Sequence, residues 1–258
     1  MSFVNRMLAS VGIGSAVVDT KLEGNTFYAG ETIEGVVEIK GGKVDQHIDE
    51  INLYLMTQYV REVDDRKVTQ SHTLDSFQVA QDITVSEGEQ KKIPFKLPLP
   101  LDVPVTIGKT PVWLKTGLDI KQAVDPKDED YITIKPTELS EKVLDAIEQL
   151  GFRLRKSSCV HVKRHLQNNR PFVQEFEFIP TSGPFNRDLD ELEVVFFPEQ
   201  DRVRLMIEVD KRGKGLFGLL EEALDVDEQK SMLTITRAEV SDTGSLQRTL
   251  ENHIRRYV

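Results

Sequence analysis

Apolar and polar residues alternate with period two over many short stretches, the pattern of strands that bury one face. In residues 33–40, IEGVVEIK, the set Ile33, Gly35, Val37 and Ile39 falls on one face, with Glu34, Glu38 and Lys40 mostly on the other. Gly41-Gly42 then marks a turn. Residues 51–60 place Ile51, Leu53, Leu55, Thr57 and Tyr59 against Tyr54 and Met56, as in a strand covered on both sides. Further strands are expected at 82–86, 91–97, 111–116 and 131–135, with Glu87-Gly88-Glu89 as a turn. In the second half, 172–180 alternates Phe172, Phe176 and Phe178 against Glu175 and Glu177. Residues 191–198 turn almost wholly apolar, 203–210 alternate through Val203, Leu205, Ile207 and Val209, and 232–237 form the last strand.

Two stretches change to a helical period. In residues 136–151, Leu139, Val143, Ile147 and Leu150 share one stripe, Thr137 can cap the start and Gly151 can end the helix. The tail 245–258 lines up Leu246, Leu250, Ile254 and Tyr257. The expectation is therefore a mainly all-β chain of two tandem, immunoglobulin-like β-sandwich domains with a connecting helix and a C-terminal helix. The first domain spans 1–135. The second spans 136–258 and includes the connector and the helical tail.

Charge narrows the partners. The chain has 258 residues and a net charge of −10, from 33 basic and 43 acidic side chains. Non-specific nucleic-acid binding rests on neutralising phosphates with Lys and Arg, so nucleic acid is not an expected partner. The single cysteine, Cys159, allows neither an intrachain disulfide nor a cysteine-based zinc site. No apolar run reaches the roughly 20 residues that span a bilayer. The first fourteen residues lack a continuous apolar core of the signal-peptide kind, so the expected location is cytoplasmic. Peripheral membrane association is a competing reading, through Phe3, Met7, Leu8 and Val11 at one end and Arg255 and Arg256 at the other. It is not favoured, because each stripe can pack on the protein itself.

Candidate catalytic chemistry is sparse. Residues 213–218, GKGLFG, spell G-x-G-x-x-G and could admit a dinucleotide to a helix N-terminus, but no repeated βα alternation surrounds them. His161 and His165 have the four-residue step of a helical metal pair, yet the flank CVHV alternates like a strand. There is no G-x-S-x-G elbow, and Cys159 would need a histidine brought to it by the fold. No cofactor, metal or enzymatic activity is expected. The acidic stretch 119–132, DIKQAVDPKDEDYI, reads as an exposed turn at Asp125-Pro126 feeding the strand 131–135. It lacks the alternating ligands and glycine of a calcium loop.

Two early stretches, FYAGETIEGVVEIKGG at 27–42 and GEQKKIPFKLPLPLDVPVTIG at 88–108, resemble the arrestin-like fold. The likeness sharpens at WLKTGLDIKQAVDPKDEDYI (113–132), EQLGFRLR (148–155), FVQEFEFIPTSGPF (172–185) and LDELEVVFFP (189–198). These resemble the sporulation-control protein M family of spore-forming bacilli and their relatives. That resemblance implies two arrestin-like sandwiches and a non-enzymatic regulator or adaptor acting on early sporulation through other proteins. The acidic residues Asp119, Asp125, Asp128, Glu129 and Asp130 lie in the matching part, near the expected domain junction, and are taken as the candidate partner-binding surface.

Overall fold

The computed structural model describes residues 15–64, 66–108, 110–120, 127–162, 170–210, 232–241 and 243–258. Thirteen strands are described: β1 (Val17–Leu22), β2 (Thr26–Tyr28), β3 (Thr32–Lys40), β4 (Gln46–Val63), β5 (Arg66–Val85), β6 (Gln90–Pro98), β7 (Val112–Ile120), β8 (Lys127–Lys135), β9 (Phe152–His161), β10 (Phe172–Pro180), β11 (Glu191–Pro198), β12 (Arg202–Asp210) and β13 (Met232–Thr236). The helices are α1 (Glu138–Gln149) and α2 (Thr243–Ile254).

The chain divides into two compact units. The first contains the residues up to Thr57, Ser71–Pro100 and Pro111–Ile134; the second contains Gln58–Gln70, Leu101–Thr110 and Lys135–Val258. Residues 58–70 and 101–110, expected in the first domain, thus group with the second.

In the first unit, β1, β3 and β6 form a three-stranded antiparallel sheet in the order β1-β3-β6. It packs on a second sheet in which β4 is flanked by β5 on one side and by β7, β8 and β2 on the other. The alternating positions of β3 and β4 supply the core: Ile33, Val37, Ile48, Ile51, Leu53 and Leu55 are fully buried. Ile48 and Ile51 both point inward although they differ by an odd number. A bulge in the β4–β7 ladder between Ile48 and Glu50 resets the alternation. Gly35 lies opposite Phe95 in the β3–β6 register, and a Cβ there would stand 2.8 Å from the Phe95 ring and 2.6 Å from the Lys21 carbonyl. The missing side chain is what lets the ring lie across the strand.

In the second unit, the strands run in the order β13-β12-β11-β10-β9, and β9 meets the end of β4 in parallel at Val60 and Val160. Phe176, Phe178, Val194, Leu205 and Ile235 are buried, as are Leu139, Val143 and Ile147 of α1 and Leu246, Leu250 and Ile254 of α2. Thr137 caps α1 by accepting the Ser140 amide at 3.2 Å, and Gly151 ends it at φ 94°. Three of the four residues of the C-terminal stripe are therefore packed inside its own unit, while the fourth, Tyr257, is 40% exposed. Among the described residues, no helix is long and apolar enough to cross a membrane.

Candidate functional site

The strand expected at 131–135 starts earlier than the sequence suggests, and the turn expected at Asp125-Pro126 lies outside the described residues. Strand β8 begins at Lys127, so Asp128, Glu129 and Asp130 belong to the strand itself; Asp125 lies outside the described residues. β8 pairs with β7 as Thr116↔Asp128, Lys115↔Glu129 and Leu114↔Asp130. Because side chains alternate across a strand, this splits the candidate residues between two faces. Asp128 and Asp130 follow Ile132 and Ile134 onto the inner face and are half-buried. Glu129 and Asp119 point outward and are exposed; Glu129 lies two positions from Tyr131, which stacks on Trp113, while Asp119 lies at the other end of β7. Asp119 stands opposite Glu50 in the β4–β7 register. The run thus contains two sites with different chemistry.

The inner pair closes one side of the sandwich. Strand β1 is an edge of the three-stranded sheet, and an edge strand leaves backbone amides without a ladder partner. Here the second sheet supplies side-chain acceptors: the Thr20 amide donates to Asp128 Oδ2 at 2.6 Å, and the Ala16 amide donates to Gln46 Oε1 at 2.6 Å. The Thr20 and Thr116 hydroxyls add a buried bond at 2.6 Å. Asp130, two positions along, is pushed up to about 6 by burial first, then by the charges of Asp128 and Asp19 and a hydrogen bond with Asp128, with Lys21 opposing. Its Oδ2 is buried without a hydrogen-bond partner.

The opposite side of the same sandwich is different. Strand β6 is the other edge of the three-stranded sheet, and it carries Pro94 and Pro98, which have no amide to offer an incoming strand. Above it, β5 pairs with β4 alone among the described residues, has no proline, and keeps most of its side chains exposed. Between the two edges lies a cavity of about 430 Å³ of mixed lining, with Leu53, Phe77, Val79, Pro94, Phe95 and Leu97 alongside the polar Ser76, Gln78 and Lys96. One flank of the sandwich is capped by side chains. The other offers a long strand edge beside a groove with both apolar and polar walls.

The second unit offers no nucleophile at Cys159. The thiol is buried, and burial pushes it up to about 12, against the weaker pull of Arg170 and Thr110. A thiol so raised stays protonated and unreactive at neutral pH. His161 stacks on Tyr59 with ring centroids 6.1 Å apart and ends a strand, not a helix; His165 lies outside the described residues. Residues 213–218 also lie outside the described residues. Asp102 and Arg170 form a buried two-pronged ion pair at 2.7 and 2.8 Å. Sequence reasoning missed both the capped edge and the open one, because each depends on which strands become neighbours.

Paired β-sandwich folding with helices on the second unit defines an arrestin-like protein. The chain belongs to the SpoOM protein family, whose model matches residues 4–213. It is 42% identical over 257 residues to the sporulation-control protein spo0M of Bacillus subtilis (strain 168), covering 100% of this chain and 99% of that one. The crystal structure of Spo0M, sporulation control protein, from Bacillus subtilis matches with a TM-score of 0.87 at 41% identity, covering 95% of this chain and 100% of that one.

Proposed function

We propose that the protein is a non-enzymatic cytosolic regulator of early sporulation that works by binding other proteins, and that a partner adds an extended segment along the outer edge of β5. The observation that carries this reading is the asymmetry of the first sandwich. The β1 edge has its amides taken by Gln46 and Asp128, and the β6 edge is interrupted by prolines. The β5 edge has neither protection and borders the groove, whose apolar part is formed by Phe77, Val79 and the β6 side chains. In strand addition, main-chain hydrogen bonds supply affinity and pockets for alternate side chains supply specificity. The groove would take the apolar side chains of the incoming strand beside Phe77 and Val79. The sporulation role rests on membership of the family and on the name of the Bacillus subtilis relative.

A photo-crosslinking amino acid placed at the exposed Gln78 of β5 tests this in the native host as it enters sporulation. A discrete partner adduct from Gln78, absent from the same probe at Asp19 on the capped edge, is the expected result. No adduct from Gln78, or the same adducts from both positions, rejects strand addition at β5. The outward Glu129, beside the 63%-exposed Tyr131, forms a second candidate contact, with Asp119 farther along the same face, since exposed tyrosines anchor many interfaces. A probe at Glu129 in the same experiment separates the two surfaces.

A further inference from the structure

Where β4 meets the last residues of β5, three metal-ligating side chains converge on one point of the first unit. His47 and Asp49 sit on β4, on either side of buried Ile48, and Asp82 sits on β5. The β4 bulge lies at Asp49, the residue at which the ladder with β7 shifts, and bulges re-aim side chains. Asp82 has φ 54°, a conformation that turns its carboxylate back toward β4. The result is that His47 Nε2 lies 3.2 Å from Asp49 Oδ1 and 3.7 Å from Asp82 Oδ1. All three ligand atoms fall within 4.8 Å of one another.

These separations match a coordination sphere. Ligands held about 2.0–2.2 Å from a tetrahedral zinc ion stand roughly 3.3–3.6 Å apart. The other ring nitrogen, Nδ1, lies 3.5 Å from Thr84 Oγ1, on the next strand of the same edge. A neutral imidazole that carries its proton on Nδ1, toward Thr84, turns the Nε2 lone pair toward two carboxylates. The Nε2 lone pair and the two carboxylate oxygens then converge on one point, and a divalent cation fits between them. A proton on Nε2 serves one carboxylate well at a time, whereas a divalent ion serves all three atoms at once. Metal-bound histidines are held in this way, with the non-ligating nitrogen fixed by an outer partner.

We propose that His47, Asp49 and Asp82 form a binding site for a divalent transition-metal ion, with zinc the best fit, through Nε2 and one oxygen of each carboxylate. The donor set decides the class. Imidazole selects zinc, nickel and copper over magnesium and calcium, while the two carboxylates disfavour the soft, thiolate-seeking ions. Three protein ligands leave a fourth position for water or for a donor from another molecule. Asp82, 78% exposed at its side chain, is the ligand free to close the last few tenths of an ångström.

The test is isothermal titration of the full chain, stripped with chelator, against Zn2+, Mn2+ and Mg2+ at pH 7. Zn2+ is expected to bind saturably, one ion per chain, and Mg2+ not measurably. Changes in outer partners alone weaken metal sites about 10–100-fold, so His47→Gln and Asp82→Asn, which each remove a ligand, are expected to weaken Zn2+ by about 100-fold or more. Both substitutions keep the fold accessible: His47 is partly exposed, and asparagine tolerates the positive φ of Asp82. Thermal midpoints measured without metal check this. His161→Gln, in the second unit, is expected to leave Zn2+ binding unchanged. No saturable Zn2+ binding, binding undiminished in His47→Gln and Asp82→Asn, or binding lost in His161→Gln overturns the proposal.

Discussion

Asp102 and Asp130 each bring a carboxyl group into the interior of a unit, and the two interiors treat it in opposite ways. In the second unit, Asp102 meets Arg170, both nearly buried, at 7% and 9% exposure of their side chains. The planar guanidinium takes both carboxylate oxygens in parallel, so charge and hydrogen bonding are satisfied together. In the first unit, Asp130 has another carboxylate, Asp128, as its near neighbour, and its Oδ2 has no hydrogen-bond partner. The comparison shows what each carboxylate is for. Asp102 is held by an opposite charge, so it is locked in place. Asp128 is held by a backbone amide, which it takes from a strand edge, and Asp130 is the neighbour that bears the cost of that cap.

The largest effect lies on the locked side. Arg170→Ala leaves Asp102 as a buried charge without its guanidinium, and such losses cost about 3–5 kcal/mol. Replacing both partners together, Asp102→Leu with Arg170→Met, removes both buried charges and is expected to recover most of that loss. Urea denaturation of the single and double variants measures both. A single variant that loses less than about 1 kcal/mol would show that the pair is not the anchor its burial and geometry describe.

The cap on β1 comes next. Asp128→Ala removes the acceptor of the Thr20 amide, and Thr20 is 2% exposed, so water does not readily replace it. A buried donor left without a partner costs about 1–3 kcal/mol. Asp128→Asn keeps a carbonyl oxygen at the same place and is expected to stay within about 1 kcal/mol of the parent. Hydrogen exchange at the Thr20 amide gives the local reading: faster in Asp128→Ala, close to unchanged in Asp128→Asn. Equal exchange in all three proteins would mean that the edge is protected by something other than Asp128.

Much of this architecture is legible in the residues, and the gaps have physical causes. Strands β3, β10, β11 and β12 alternate or run apolar, and the α1 cap and stop at Thr137 and Gly151 are read directly. Strand β5 is not legible beyond its last residues, because most of its side chains are exposed on both faces and leave no period to detect. Its strand character comes from pairing with β4, a long-range fact. The acidic run hides for a different reason. The alternation of Ile132 and Ile134 continues backwards through Asp130 and Asp128, but two carboxylates at inward positions contradict the rule that inward means apolar, so the apolar period stops at Ile132. The trio His47, Asp49 and Asp82 carries no spacing signal at all, since Asp82 reaches the other two only across the β4–β5 ladder.

The smallest expected effect sharpens the comparison through its pH dependence. Asp130 holds its proton in the folded chain up to about 6, above the unfolded value of 3.8, chiefly because burial disfavours its charge. The folded state therefore binds this proton more tightly than the unfolded chain does. By linkage, stability falls as pH rises from about 4 to about 6 and is then level with respect to this group. Asp130 is only partly buried, and solvent screening reduces the full shift to a penalty on the order of 1 kcal/mol at pH 7. Asp130→Asn removes the titration, so the variant is expected to be more stable than the parent by about that amount at pH 7 and equal to it near pH 4. Asp102→Asn, by contrast, is expected to be less stable than its parent at pH 7, because it weakens a charge-assisted pair with Arg170 instead of relieving a repulsion. Denaturation of both variants between pH 4 and pH 7 makes the comparison. If Asp130→Asn lowered stability at pH 7, Asp130 would have to be ionised and favourably held like Asp102, and the distinction between the two interiors would fall.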